Sequence, residues 1–176
     1  DILIGCILGD AYIEKRGKIQ IEHSSNQEAY ILWKYERLKS ISYGPPSRVV
    51  RFDVRYGTSN ESFRFWTRQF FREWRKRFYP EGNKVFPKDM ERISPLTMAV
   101  WHMDDGSLDS GSKIILSTDA FSDADRQRIQ NVLKNSFGTT SYQKSNGKIV
   151  IGRRETRLLA PIMRPHIVQS MRYKIP

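Results

Sequence analysis

Two aspartates hold matched places in this chain. Asp10 closes the apolar run Ile2-Leu3-Ile4-Gly5-Cys6-Ile7-Leu8-Gly9. Asp105 closes Leu96-Thr97-Met98-Ala99-Val100-Trp101-His102-Met103-Asp104, 95 residues further on. Each run predicts a short, mostly buried helix with its acid at the C-terminal end. That end already carries partial negative charge from unpaired carbonyls, so a carboxylate there is unfavourable unless a cation offsets it. Gly5 and Gly9 lie four apart on one face and allow close approach of a partner helix; Ala99 is the candidate counterpart. Packed side by side, the two helices would bring both acids to one end of their interface. Carboxylates about 5 Å apart repel by about 3 kcal/mol at an effective dielectric near 20. Bound Mg²⁺ would relieve this, because carboxylate and carbonyl oxygens are its preferred ligands. Either acid alone reads as a solvated helix end. The matched pair in a basic chain favours a site.

The elements between the acids repeat as well. Lys18-Ile19-Gln20-Ile21-Glu22 follows Asp10 as an alternating strand, and Lys113-Ile114-Ile115-Leu116-Ser117 follows Asp105 at the same distance. A helix comes next in each half. The first is capped by Asn26 and carries Ala29, Leu32, Trp33 and Leu38. The second starts in a Ser122/Asp125 capping box with Phe121 as a staple, carries Ile129, Val132, Leu133 and Phe137, and stops at Gly138. Strand pairs follow. Val50, Phe52, Val54 and Tyr56 alternate with charged residues, and Phe63 and Phe65 with polar ones; in the second half Thr140, Tyr142 and Lys144 lead through Asn146-Gly147 into Lys148–Ile151. A closing helix carries Phe70, Phe71, Trp74 and Phe78 in one half and Leu158, Leu159, Ile162 and Met163 in the other. The expected fold is α+β, two pseudo-symmetric αββαββα halves at 1–79 and 95–176, joined by a Pro- and Gly-bearing linker at 80–94.

Charge indicates the partner. Among 176 residues, 30 are Lys or Arg and 19 Asp or Glu, a net charge of +11, which points to a polyanion. Hydrophobic residues at 39% indicate a globular chain. The single Cys6 excludes an internal disulfide or a multi-cysteine zinc site, and His23, His102 and His166 are too far apart for metal-ligand spacing. His102, inside an apolar run, reads as core. No segment suits a membrane span or signal peptide. The chain begins at Asp1 without methionine, which leaves room for a preceding segment.

Strand faces turned from the helices would carry Lys18, Gln20, Glu22, Arg51, Asp53, Arg55, Arg64, Lys113, Ser117, Lys144 and Lys148. Lys15, Arg16, Arg48, Arg153 and Arg154 extend the candidate DNA-binding surface. Antiparallel ribbons of this kind fit the major groove, with basic residues on phosphate or guanine and Gln20, Glu22 and Asp53 able to read adenine or cytosine. Lys84 and Lys174 occupy matching Lys-(Val/Ile) positions near the two repeat ends and could stabilise charge at a scissile phosphate.

Leu3–Ala11 and Met98–Gly106 resemble the two motifs of the LAGLIDADG homing endonucleases. Ile7–Tyr12, Leu96-Thr97, Trp101–Gly106 and Met171–Pro176 look like the subgroup encoded in mitochondrial and plastid introns, and the resemblance runs from Ile2 to Pro176. It implies a pseudo-dimeric monomer with the motif helices at its centre and a saddle of sheets over double-stranded DNA. It implies a Mg²⁺-dependent break at a long site with short 3′ overhangs, Mn²⁺ or Ca²⁺ being alternative occupants. The metal ligands fall on Asp10 and Asp105, with backbone oxygens near Gly9 and Asp104, and the active-site lysines on Lys84 and Lys174. A mitochondrion or plastid is the implied compartment, a bacterial cytoplasm the alternative. Two departures stand out: Val100 replaces the glycine matched to Gly5, and Ser117 is matched to Glu22. An intron RNA maturase and a non-cutting DNA-binding regulator are the competing readings.

Overall fold

A computed structural model describes all 176 residues. Its order is α1 (Ile2–Leu8), β1 (Tyr12–Ile13), β2 (Ile19–Ser24), α2 (Glu28–Leu38), β3 (Ser47–Asp53), β4 (Thr58–Trp66) and α3 (Arg72–Phe78), then α4 (Pro95–Asp105), β5 (Gly106–Asp109), β6 (Lys113–Leu116), α5 (Asp123–Phe137), β7 (Tyr142–Gln143), β8 (Ile149–Ile151) and α6 (Arg153–Met163). The pattern αββαββα thus occurs twice. Each half forms a four-stranded antiparallel sheet of the same topology, β1-β2-β4-β3 and β5-β6-β8-β7.

Compactness groups the chain differently from the repeat. One unit is Asp10–Arg75; the other joins Asp1–Gly9 to Lys76–Pro176. The opening helix of the first repeat therefore packs with the second repeat.

In the unit Asp10–Arg75, Ile19 and Ile21 are buried on one face of β2, and α2 lies over β2 and β4. In the other unit Ile114 and Leu116 are buried at the same register of β6. The correspondence reaches single hydrogen bonds. Thr67 Oγ1 accepts from Ile19 N at 2.9 Å, and Thr156 Oγ1 accepts from Ile114 N at 3.2 Å. Each threonine is buried.

The α5 signals hold. Ser122 Oγ accepts from Asp125 N at 3.1 Å, and Gly138 takes the left-handed conformation at φ 67°. The residue one turn in from Phe121 is Arg126, whose guanidinium takes the Phe121 carbonyl, so no apolar staple forms there. Several expectations need correction. Asn26 is not the cap of α2: it sits in a 3₁₀ turn over Ser25–Gln27, and Gln27 holds the cap position without a side-chain bond. The buried face of α2 is Tyr30, Ile31, Lys34 and Leu38, while Leu32 is exposed. In α6 the buried face is Thr156, Leu159, Ala160 and Met163, with Leu158 and Ile162 exposed. Val50 and Phe52 are exposed, because the β3–β4 ribbon runs beyond the helix that covers its base; Val54 and Tyr56 lie in the turn 54–57, not in a strand.

Helices α1 and α4 pack backbone to side chain. A Cβ on Gly5 would lie 2.7 Å from both Thr97 O and Val100 Cβ, so the glycine is the hole that Val100 fills. The lost symmetry between Gly5 and Val100 is complementary packing across one interface, and Val100 takes the place foreseen for Ala99. Gly5→Ala should overpack this seam and cost about 1–3 kcal/mol. Urea denaturation of the variant checks it; an unchanged midpoint would refute the contact.

Candidate active site

In the unit containing both motif helices, α1 ends at Leu8 and Gly9 follows. A Cβ on Gly9 would lie 2.4 Å from Asp104 Cβ and 2.9 Å from Asp104 Oδ2. Only glycine lets the end of α1 approach the Asp104 carboxylate this closely. Asp105, the last residue of α4, is half-buried, and its carbonyl accepts from Ser117 N at 3.0 Å. Sequence reasoning assigned Asp104 only through its backbone; its side chain is the one that reaches Gly9.

The two lysines repeat one geometry. Lys84 Nζ donates to Gly9 O at 2.5 Å and Leu8 O at 3.3 Å. Lys174 Nζ donates to Met103 O at 2.6 Å and Asp104 O at 3.2 Å. Positions 8 and 9 match 103 and 104 in the repeat, so each ammonium sits on the same two carbonyls at a helix C-terminus. A cation offsets the negative end of the helix dipole there. The expectation that these helix ends want positive charge is met by side chains of the protein itself.

His102 supports Lys174 from behind. Its ring is fully buried, with Nε2 2.8 Å from Lys174 O. A carbonyl only accepts, so Nε2 carries the proton. Burial is the main force holding the ring at a pKa of about 4, aided by the Lys174 charge and opposed by the Lys174 carbonyl bond. His102 is thus a neutral core residue, as its apolar surroundings predict.

In the unit Asp10–Arg75, the Asp10 side chain is 43% exposed and opens onto a groove lined by Gln20, Glu22, His23, Ser24, Gln27 and Ser62. His23 Nδ1 stands 3.7 Å from Asp10 Oδ2. Glu22 is bound on all sides. It takes both guanidinium nitrogens of Arg51, pairs with Arg64 Nε at 3.0 Å, and accepts from Ser62 Oγ at 2.5 Å and Gln20 Nε2 at 3.0 Å. The Arg51 bonds lead in lowering its pKa from 4.5 to about 2. A depressed carboxylate contributes stability above its unfolded pKa and loses it as pH falls through the folded one. Glu22→Gln should therefore flatten the acid limb of a stability profile between pH 4.5 and 2. Circular-dichroism melts over that range test it; an unaltered acid limb would contradict the network.

The other surface candidates divide by setting. Asp53 is held by Arg55 at 3.0 Å, and Arg48 by Glu61, on or beside the β3–β4 ribbon; the two arginines are exposed and the two acids half-buried. Lys15 and Arg16 are exposed between β1 and β2, with Lys18 half-buried just before β2. Lys113 opens β6 and Ser117 follows it, and Lys144 and Lys148 flank the turn between β7 and β8; all four are half-buried. Arg153 and Arg154 are exposed but open α6 and belong to no strand. No helix is long and apolar enough to cross a membrane.

Comparison with known proteins agrees with this fold. A solved structure of the homing endonuclease I-WcaI bound to its DNA recognition sequence matches with a TM-score of 0.87 at 25% identity, over 99% of this chain and 84% of that one. Protein RecA of Mycobacterium gastri is 24% identical over 99% of this chain, which spans 46% of that protein. Cytochrome b mRNA maturase bI2 of Debaryomyces hansenii is 27% identical over 99% of this chain and 72% of its own length. The chain thus spans about half the length of the RecA relatives it matches. The profile of the LAGLIDADG DNA endonuclease family covers residues 1–158, and this chain belongs to that family.

Proposed function

We propose that this chain is a homing endonuclease that makes a metal-dependent double-strand break at a long DNA site, leaving short 3′ overhangs. The observation that carries the reading is the paired seating of Lys84 and Lys174 on the terminal carbonyls of α1 and α4. Two equivalent cationic groups at matched helix ends suit a substrate with two equivalent scissile phosphates. The likeness to a DNA-bound homing endonuclease and the charge of +11 support the same substrate.

In this reading the repeats 1–79 and 95–176 act as a monomeric pseudo-dimer joined by 80–94, each serving one strand. Asp10 and Asp105, with the backbone oxygens of Gly9 and Asp104, are the proposed ligands of Mg²⁺, and Mn²⁺ or Ca²⁺ would use the same set. The donors fit: all are hard oxygens, and a carbonyl that accepts from an ammonium keeps a second lone pair. A bound divalent ion supplies charge neutralisation and a water of lowered pKa. Lys84 and Lys174 then hold positive charge toward the phosphate oxygens as negative charge develops. Lys18, Arg51, Arg64, Lys113, Lys144 and Lys148 grip the duplex, while Gln20, Asp53 and Ser117 face bases. An organellar host is the compartment this reading favours.

The test is cleavage of a supercoiled plasmid carrying the joined flanks of the element that encodes the chain, with Mg²⁺, followed by mapping of both cut positions. Staggered cuts are expected. DNA binding with neither strand cut in Mg²⁺ or Mn²⁺ would sink the reading. The maturase named among the relatives favours a second reading, assistance to RNA splicing; acceleration of splicing without cleavage would select it.

A further inference from the structure

Lys34 is fully buried, on a helix face where its matched residue in the second repeat is Ile129. A fold keeps a buried ammonium only where partners offset its lost hydration. Lys34 Nζ lies 2.8 Å from His23 Nε2 and 4.4 Å from the centre of the Tyr30 ring. His23 is buried too, its ring 4.9 Å from that of Tyr30. An ammonium only donates, so Nε2 accepts and the ring proton sits on Nδ1. Nδ1 is the atom that faces Asp10 Oδ2, at 3.7 Å.

Resting on the nuclease reading above, we propose that Lys34 and His23 are positioning residues for Asp10, a relay that fixes the imidazole tautomer and turns an N–H toward the carboxylate. Histidines and carboxylates around metal ligands are commonly oriented by such outer partners. The second repeat is built otherwise. Thr118 stands at the position of His23 and donates to Gly147 O at 2.7 Å, and Ile129 carries no charge. The relay therefore serves one half alone and makes the two halves chemically unequal. Asp10 faces a buried cation through an imidazole, whereas the matched positions in the half of Asp105 hold Thr118 and Ile129.

The test separates the strands. His23→Phe keeps the ring on Tyr30 and removes Nδ1, and Lys34→Met keeps the packing and removes the charge. Single-turnover cleavage of the same plasmid in Mg²⁺, with each strand labelled, is compared with target affinity in Ca²⁺. Each variant should slow one strand about 10- to 100-fold, leave the other within about twofold, and accumulate nicked circles at unchanged affinity. His23→Asn, whose amide N–H takes the place of Nδ1–H, should recover most of the lost rate. Equal slowing of both strands, or no slowing of either, would overturn the relay while leaving the nuclease reading intact. An unmodified protein that cuts neither strand removes that reading, and the relay with it.

Discussion

Asp10→Asn and Asp105→Asn each lower double-strand cleavage by about a thousandfold or more, since neutralising charge and activating water at a phosphate is worth several kcal/mol. Affinity for target DNA, measured by gel shift in Ca²⁺, stays within about tenfold, because counterion release by lysines and arginines dominates binding and is untouched. Asparagine keeps the volume and one oxygen of aspartate but loses the charge, so folding is preserved and the cation is not held. Asp104→Asn belongs in the same experiment. Its carboxylate, not that of Asp105, rests on Gly9. Loss of cleavage in Asp104→Asn with full activity in Asp105→Asn would move the second acid by one residue. Full cleavage by Asp10→Asn would end the proposal for the first.

What the sequence disclosed follows from the duplication. A repeat turns one weak signal into two at a fixed offset, and Asp10 with Asp105 and Lys84 with Lys174 were singled out as candidates in that way; the matched seating of the two lysines is what the structure adds. The strand register was legible because Ile19 and Ile21 alternate with polar residues, Ile114 and Leu116 stand at the matched positions, and all four are buried. Ser122 and Gly138 were legible because a cap and a left-handed stop are local chemistry.

What stayed hidden was non-local. Lys34 sits where an apolar residue belongs, so the stripe of α2 was read one position away, on Ala29, Leu32 and Trp33. His23 looked isolated because its partners, 13 and 11 residues away, carry no spacing signature. The strands β1 and β5 hold two and four residues, too few for a period to register. The apolar residues of β3 alternate as a covered strand would, but cover depends on how far α2 reaches, which no local pattern records. The Val100 departure had the same origin: one helix's glycine is explained by the other helix's side chain.

Replacing either Lys84 or Lys174 by methionine should slow cleavage about 10²- to 10³-fold, the usual cost of removing one preorganised group aimed at developing charge. Methionine keeps the length and packing of the stem and removes only the ammonium, whose hydrogen bonds here go to Leu8 and Gly9 or to Met103 and Asp104 carbonyls. The matched geometry makes a sharper claim than rate alone. If each lysine serves its own half, Lys84→Met and Lys174→Met slow opposite strands, and each single variant turns the enzyme into a nickase of opposite preference. The double variant should then cut neither strand, at unchanged affinity for DNA. Strand-resolved single-turnover rates decide the matter. Lysines that merely cap the helices would lower melting temperature in both variants and leave the ratio of the two strand rates as it was.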